Sequence, residues 1–206
     1  MTRYFTMHPD NPQPRLINQA AQAIQAGELL AYPTDSGYAF GCSLESKKAL
    51  DIIRKLRNLD EKHPLTLMCF SISEAAEYCM INNDAFALLK RYTPGAYTFL
   101  LPATKKVPRL AIGAKRKVVG IKIPEHPLAR GLLQALGTPM LTTTLWLADE
   151  DAPISDPALI APQTGGKVDL ILDTGIGSDL PSTVVDLSGA KPAIIRHGSG
   201  DPTPFE

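Results

Sequence analysis

Long apolar runs, paired cysteines and aromatic residues are all scarce in this chain. No stretch of about 18 apolar residues occurs, so no membrane-spanning helix is expected. The opening MTRYFTMHPDNPQ has no apolar core of the kind a secretory leader carries, and a soluble cytoplasmic protein is the expectation. The cysteines, Cys42, Cys69 and Cys79, are odd in number and show no C-x-x-C spacing, which argues against a disulfide framework or a zinc site and for buried free thiols. His8, His63, His126 and His197 are scattered and lack metal-ligand spacing. TGGKV lacks the upstream glycine and the following Ser or Thr of a P-loop, GIGSD at 175–179 reads as a glycine turn, and no G-x-S-x-G elbow exists. Aromatic residues make up 6% of the chain, with no stacking motif of the RRM type.

What is present is a chain of 206 residues, 44% hydrophobic, enough for one domain over 1–206 with its core at about 14–200. Lys plus Arg equals Asp plus Glu at 21 each, but the charges are not evenly spread. Between Ala85 and Pro124 there is no acid, against Lys90, Arg91, Lys105, Lys106, Arg109, Lys115, Arg116, Lys117 and Lys122. Between Leu147 and Gly189 the only base is Lys167, against eight acids. Such a chain either sets a positive patch over a phosphate-bearing ligand or lays the two segments side by side to neutralise each other.

Hydrophobic periodicity divides the chain. Asp10 or Asn11 can cap a first helix, with Pro12 or Pro14 in its first turn and Leu16, Ile17, Ala20, Ala21 and Ile24 on its buried side. Ser46 caps a second helix whose Ala49, Leu50, Ile52, Ile53 and Leu56 follow the i, i+3, i+4, i+7 pattern. SEAAEYC, NDAFALLKRY and PLARGLLQALG are further helices. ELLAYP, PLTLMCF, AYTFLLPA, KVVGIKIP, PMLTTTLWL, VDLILD, STVVDLS and PAIIRHG read as strands. Segment 148–166 is long for a structureless loop, so it is expected to be a functional flap or to hold an extra helix at DPALIAP capped by Asp156. Helices and strands alternate and strands cluster at the end. This predicts an α/β fold with a twisted, open, mixed sheet in a single domain.

Three features remain as candidate sites. In the second helix, Lys55 lies opposite the apolar stripe and Arg57 sits at the C-terminus, so both suit a solvated face as well as an anion. LTTTLW at 141–146 places three threonines at a strand end, where β-propensity alone would also favour them. Ser182 and Thr183 open one strand and Arg196 closes another. Hydroxyls and a planar guanidinium fork suit phosphate oxygens, although Arg196 could equally pair with Asp186. YPTDSGYAFGC, Tyr32–Cys42, is read as a strand end and loop that brings Thr34 to a pocket.

The order YPTDSGYAFGC, KLR, HPLTLM, TPGAYTFLL, VGIKIPEHPLA, PMLTTT, PSTVVDL and IIRHG resembles the YrdC/YciO family over Leu30 to Gly198, and is most similar to its YciO branch. The resemblance implies a YrdC-like fold with a concave, basic cavity. It also implies a nucleotidyltransferase activity in which ATP, threonine (or a related amino acid) and bicarbonate give threonylcarbamoyl-AMP and pyrophosphate, with Mg²⁺, for the t6A modification of tRNA. Carried over by position, Thr34 would contact threonine, His63 would lie near it, Lys122 would face its carboxylate where the family usually has Arg, and Thr142 would join them. Lys55 and Arg57 would hold the ATP phosphates, with Thr144, Ser182 and Arg196 completing the nucleotide site. No side-chain nucleophile and no protein-ligated metal are implied. The alternative is a protein that binds double-stranded RNA or tRNA on the basic concave face without catalysis. Two further departures from the YrdC branch stand out: Thr144-Leu145-Trp146 replaces its S-x-N motif, and Asn58 follows Arg57 where that branch has Pro.

Overall fold

The structure is a computed structural model that describes residues 1–60, 63–112 and 117–206. In chain order the elements are β1 (Arg3–Thr6), α1 (Pro14–Gln25), β2 (Leu30–Thr34), β3 (Gly37–Cys42), α2 (Lys47–Arg57), β4 (Thr66–Met68), α3 (Ile72–Tyr78), α4 (Asn83–Tyr92), β5 (Tyr97–Pro102), β6 (Val118–Lys122), α5 (Pro127–Leu136), β7 (Met140–Thr144), α6 (Pro157–Gln163), β8 (Leu170–Asp173), β9 (Thr183–Asp186) and β10 (Ala193–Arg196). The strands form one mixed sheet in the order β1-β8-β2-β3-β7-β4-β6-β5-β9-β10. No helix among the described residues is long and apolar enough to cross a membrane.

Because side chains alternate across a strand, β2, β3, β4, β7 and β8 feed two apolar clusters. Phe40, Leu67, Phe99, Ile121, Leu141 and Val185 point to the larger one, where α2, α3, α4 and α6 add Leu50, Ile53, Ala75, Leu89 and Ile160. The other face buries Tyr32, Ala39, Met68 and Met140 against Ile17, Ala20 and Ile24 of α1 and Leu128, Ala129 and Leu132 of α5. This second cluster stops at β4 and β7. Beyond it no helix among the described residues covers the same face of β6, β5 and β9, and the sheet stays open there.

The helices begin and end as their sequences dictate. The Ser46 Oγ accepts the Ala49 N–H at 3.3 Å, and Asp156 Oδ1 accepts the Ala158 N–H at 2.9 Å, so the extra helix in 148–166 forms with the expected cap. Asn58 ends α2 in the left-handed conformation at φ 49°. Proline, with φ locked near −65°, could not take that place in this conformation. Gln13, not Asp10 or Asn11, holds the N-cap position of α1, with no side-chain cap bond and Pro14 in the first turn, while the Asp10 and Asn11 N–H groups donate to the His8 Nδ1. The three cysteines are buried free thiols, and burial pushes Cys42 and Cys79 up to about 12.

Two elements differ from the sequence reading. Arg3–Thr6 forms the edge strand β1 beside β8, a four-residue element with too little alternation to announce itself. Tyr32–Cys42 is not a strand end and loop but a hairpin, with Thr34 paired to Gly37 across the turn Asp35-Ser36. The polar turn masks a period-two pattern in Tyr38, Phe40 and Cys42. Gly37 turns at φ 87°, and a Cβ there would lie 2.1 Å from the Ser178 carbonyl oxygen. Gly41 leaves room for the Tyr32 ring, whose Cε1 would lie 2.6 Å from a Cβ at that position.

Candidate functional site

The open part of the sheet is a cavity of about 480 Å³, within the range of small-molecule sites. Its walls come from the strand positions that face away from the larger core: Thr66 on β4, Lys122 on β6, Thr98 and Leu100 on β5, Val184 on β9, and Thr142 and Thr144 on β7. Gly120 keeps the floor low between Thr66 and Leu100, since a Cβ there would sit 2.6 Å from Thr66 Oγ1. Thr34 and Ser36 of the hairpin close one end, and Arg57, His63, Thr143, Ser182, Ile195 and Arg196 add to the lining.

Lys122 is 5% exposed, and its Nζ donates to Ser36 Oγ at 2.7 Å and to Thr34 Oγ1 at 3.2 Å. Neither partner carries charge. Burial is the main reason that the ammonium is held down at about 8, with Arg196 pushing the same way and Asp35 opposing. Arg57 is anchored at the end of α2 by Nε to the Trp146 carbonyl at 3.1 Å and by Nη1 to Thr143 Oγ1. Burial, then Arg196, holds its guanidinium down at about 10. Arg196 donates from Nε and Nη2 to the Ser182 carbonyl at 3.1 and 2.8 Å, and from Nη2 to Ser182 Oγ, which also meets Thr98 Oγ1 at 2.9 Å. Burial lowers Arg196 as well. His63 stands at the rim, lowered first by desolvation and then by Arg57. Thr142 Oγ1 is 2.6 Å from the Tyr32 hydroxyl and donates to the Phe40 carbonyl.

Three cations therefore meet in one cavity whose lining, among the described residues, holds no Asp or Glu. Three charges of one sign, each lowered by burial, are an arrangement that an incoming anion relieves. The cavity has two chemically distinct ends. Thr34, Ser36 and Lys122 form a polar end, whereas Leu100, Val184 and Ile195 form an apolar wall near Ser182 and Arg196.

Of the residues singled out from the sequence, Thr34, Arg57, His63, Lys122, Thr142, Thr144, Ser182 and Arg196 all line this cavity. Lys55 does not: it is exposed on the outer side of α2, as its place opposite the apolar stripe already suggested. The Trp146 indole also lies outside the lining. Its Nε1 donates to the Glu150 carbonyl at 2.8 Å, and it is the Trp146 backbone oxygen that serves Arg57. The basic run of 85–124 is split. Lys122 is in the cavity, Lys90 and Arg91 ride on α4 on the opposite face, and Lys106 pairs with Glu77, while Lys115 and Arg116 lie outside the described residues. Sequence reasoning missed Ser36, Thr66 and Thr98, and gave Thr143 in its threonine run no role, whereas its Oγ1 anchors Arg57. Thr98 had a signal, as the one small hydroxyl side chain in a strand where the neighbours Phe99 and Leu101 face the core.

No group of three or more His, Cys, Asp or Glu that could hold a metal occurs among the described residues. The donor set of the cavity, ammonium, guanidinium and hydroxyl, does not fit a protein-held cation. A divalent ion suits this site only as part of an anionic ligand that carries it.

Comparison with known proteins bears on this geometry. The Sua5/YciO/YrdC family model, described as telomere recombination, matches residues 22–198. The chain is 46% identical to the uncharacterized protein YciO of Escherichia coli (strain K12) over 205 residues, covering 100% of both, and it superposes on the crystal structure of E. coli YciO with a TM-score of 0.96. It is 28% identical over 186 residues to the threonylcarbamoyl-AMP synthase of Bacillus subtilis (strain 168), covering 88% of this chain and 53% of that protein. The crystal structure of Sua5 from P. abyssi complexed with L-threonine superposes with a TM-score of 0.86 at 27% identity, covering 96% of this chain and 58% of the other.

Proposed function

The chain belongs to the Sua5/YciO/YrdC family, and from that premise we propose that it binds ATP with threonine or a related amino acid and carries out threonylcarbamoyl-AMP synthesis. The observation that carries this reading is the meeting of Lys122, Arg57 and Arg196 on the walls of one cavity, with no acid among its described lining residues. A relative bearing L-threonine and another named for this reaction supply the substrate class.

In this reading the polar end takes the amino acid. Its carboxylate meets the Lys122 ammonium, which has one N–H left after Thr34 and Ser36, and the two hydroxyls orient the group. The apolar wall of Leu100, Val184 and Ile195 takes the base, and Arg57 and Arg196 take the phosphates. The α-amine of threonine condenses with bicarbonate to a carbamate, releasing water. A carbamate oxygen then attacks the α-phosphorus, the bond to the bridging oxygen breaks, and pyrophosphate leaves. No protein nucleophile takes part. The fixed guanidinium groups offset charge on the leaving pyrophosphate without reorganising. Mg²⁺ arrives on the ATP phosphates as part of the substrate.

The test is pyrophosphate release with MgATP and bicarbonate, comparing threonine, other amino acids and none, with product mass recorded. The expected result is threonine-dependent release with a threonylcarbamoyl-AMP mass. Silence with every amino acid, in protein shown to be folded, would overturn the reading. Tight RNA binding that weakens steeply with salt would then favour the nucleic-acid role.

A further inference from the structure

We propose that Asp35, which does not itself line the cavity, is the positioning residue for the Lys122 ammonium. This deepens the functional reading above, because it takes Lys122 as the cation that receives the amino-acid carboxylate.

The geometry is a closed ring of short contacts. Asp35 sits between the two hydroxyl residues that hold Lys122. Its Oδ1 accepts the His126 N–H at 2.7 Å and the Glu125 N–H at 3.1 Å, and Oδ2 accepts the same Glu125 N–H at 3.2 Å. Glu125 and His126 follow Lys122 by a few residues and open α5, ten residues long, whose cap His126 accepts the Leu128 N–H through Nδ1. Asp35 thus ties the turn carrying both hydroxyls to the segment carrying the ammonium, and its charge lies at a helix N-terminus, where an anion is favoured. The turn is held on its far side too. Tyr38 donates its hydroxyl to the Gly175 carbonyl at 2.8 Å, and the Ser178 backbone lies against Gly37.

The second part of the role is charge. Among the described residues, the charged groups acting on Lys122 are Asp35 from the hairpin turn and Arg196 from β10. Asp35 is the one that favours the ammonium, and Arg196 opposes it. His126, also lowered by burial, adjoins Asp35 and feels Lys122 and Asp10 in addition. Asp35 stabilises the charge of Lys122 without contacting the ligand. A carboxylate inside the lining would instead compete with the substrate for that ammonium.

The experiment is Asp35→Asn in the full chain. This variant keeps one acceptor for the α5 N–H groups and removes the charge. The Lys122 titration is followed by NMR of lysine-labelled protein, with the signal assigned by its loss in Lys122→Met. Threonine binding is measured in parallel by calorimetry. The Lys122 midpoint should fall below its wild-type value. Threonine affinity should then drop about tenfold near pH 8 and distinctly less near pH 6.5, where the ammonium is charged in both proteins. A merely structural role would weaken binding equally at both pH values. Asp35→Glu, which keeps the charge but lengthens the side chain, should raise the threonine Kd while leaving the midpoint near wild type, and it decides the matter if Asp35→Asn does not fold. An unchanged midpoint in Asp35→Asn, or unchanged affinity in Asp35→Glu, overturns the proposal. The titration needs no substrate. A wild-type protein that binds no threonine would therefore sink the functional reading and still leave Asp35 to be judged.

Discussion

Replacing Lys122 by methionine should make the protein more stable and disable its site. Lys122 is 5% exposed, bonds only to hydroxyls, and titrates at about 8 instead of the ordinary 10.5 of lysine. That difference means that the folded state destabilises the ammonium by about 3 kcal/mol. The sign follows from proton binding. Between about pH 8 and 10.5 the unfolded chain holds the proton that the folded chain has released, so stability rises with pH through that window. The penalty is fully present below it. Methionine has similar length and no charge, and it removes the penalty. The two lost hydrogen bonds take back about 1 kcal/mol or less each, because Thr34 Oγ1 still donates to the Gly37 carbonyl at 2.8 Å and lies 3.3 Å from Ser36 Oγ. The net gain near pH 7 is about 1–2 kcal/mol, or a Tm higher by roughly 3–6 °C. Urea unfolding of both proteins from pH 6.5 to 10 measures it. The lead of Lys122→Met should shrink as pH rises, since exposed lysines cancel in the difference. The same variant should lose threonine-dependent stabilisation. A variant less stable than wild type at pH 7, or a lead that is flat with pH, would refute the reasoning. It would mean that Lys122 is solvated or paired in the folded protein.

Three further outcomes are expected. Arg57→Lys should weaken ATP binding by about 10- to 100-fold in calorimetry, because an ammonium cannot keep both the Trp146 and Thr143 anchors and still present a fork to phosphate. Gly120→Val should abolish ligand binding and cost about 1–3 kcal/mol in urea unfolding, since its Cβ alone would lie 2.6 Å from Thr66 Oγ1 and 3.2 Å from the Thr66 Cα. Lys55→Ala should leave ATP affinity within about twofold of wild type, as expected of an exposed residue outside the lining; a loss comparable to that of Arg57→Lys would mean that α2 rotates on binding.

Much of the site was legible because its residues lie at element ends that local rules locate. Arg57 ends a helix whose apolar stripe is unmistakable, and Arg196 closes a strand before Gly198. Lys55 shows the limit of such reading. It is two residues from Arg57, about 200° around the helix, so one faces the cavity and the other faces water. Trp146 shows another limit. The sequence shows an indole where the YrdC branch has Asn, but it is the Trp146 backbone carbonyl that meets Arg57, and backbone groups leave no mark in the sequence. The hairpin was missed because Asp35-Ser36-Gly37 looks like a loop, while the β2–β3 pairing that makes it a turn is held in place by β8 and β7 on either side, far along the chain.

The sequence by itself determined the alternation that sends Phe99, Ile121 and Leu141 to one core and Thr98, Lys122 and Thr142 to the other face, together with the helix caps at Ser46 and Asp156. Only the tertiary structure decided that this other face stays open. Helices α1 and α5 cover it as far as Met68 and Met140 and no further. Strands distant in sequence then bring Lys122, Arg57 and Arg196 within reach of one ligand, because the order of strands in a sheet is a property of long-range pairing and not of any local stretch.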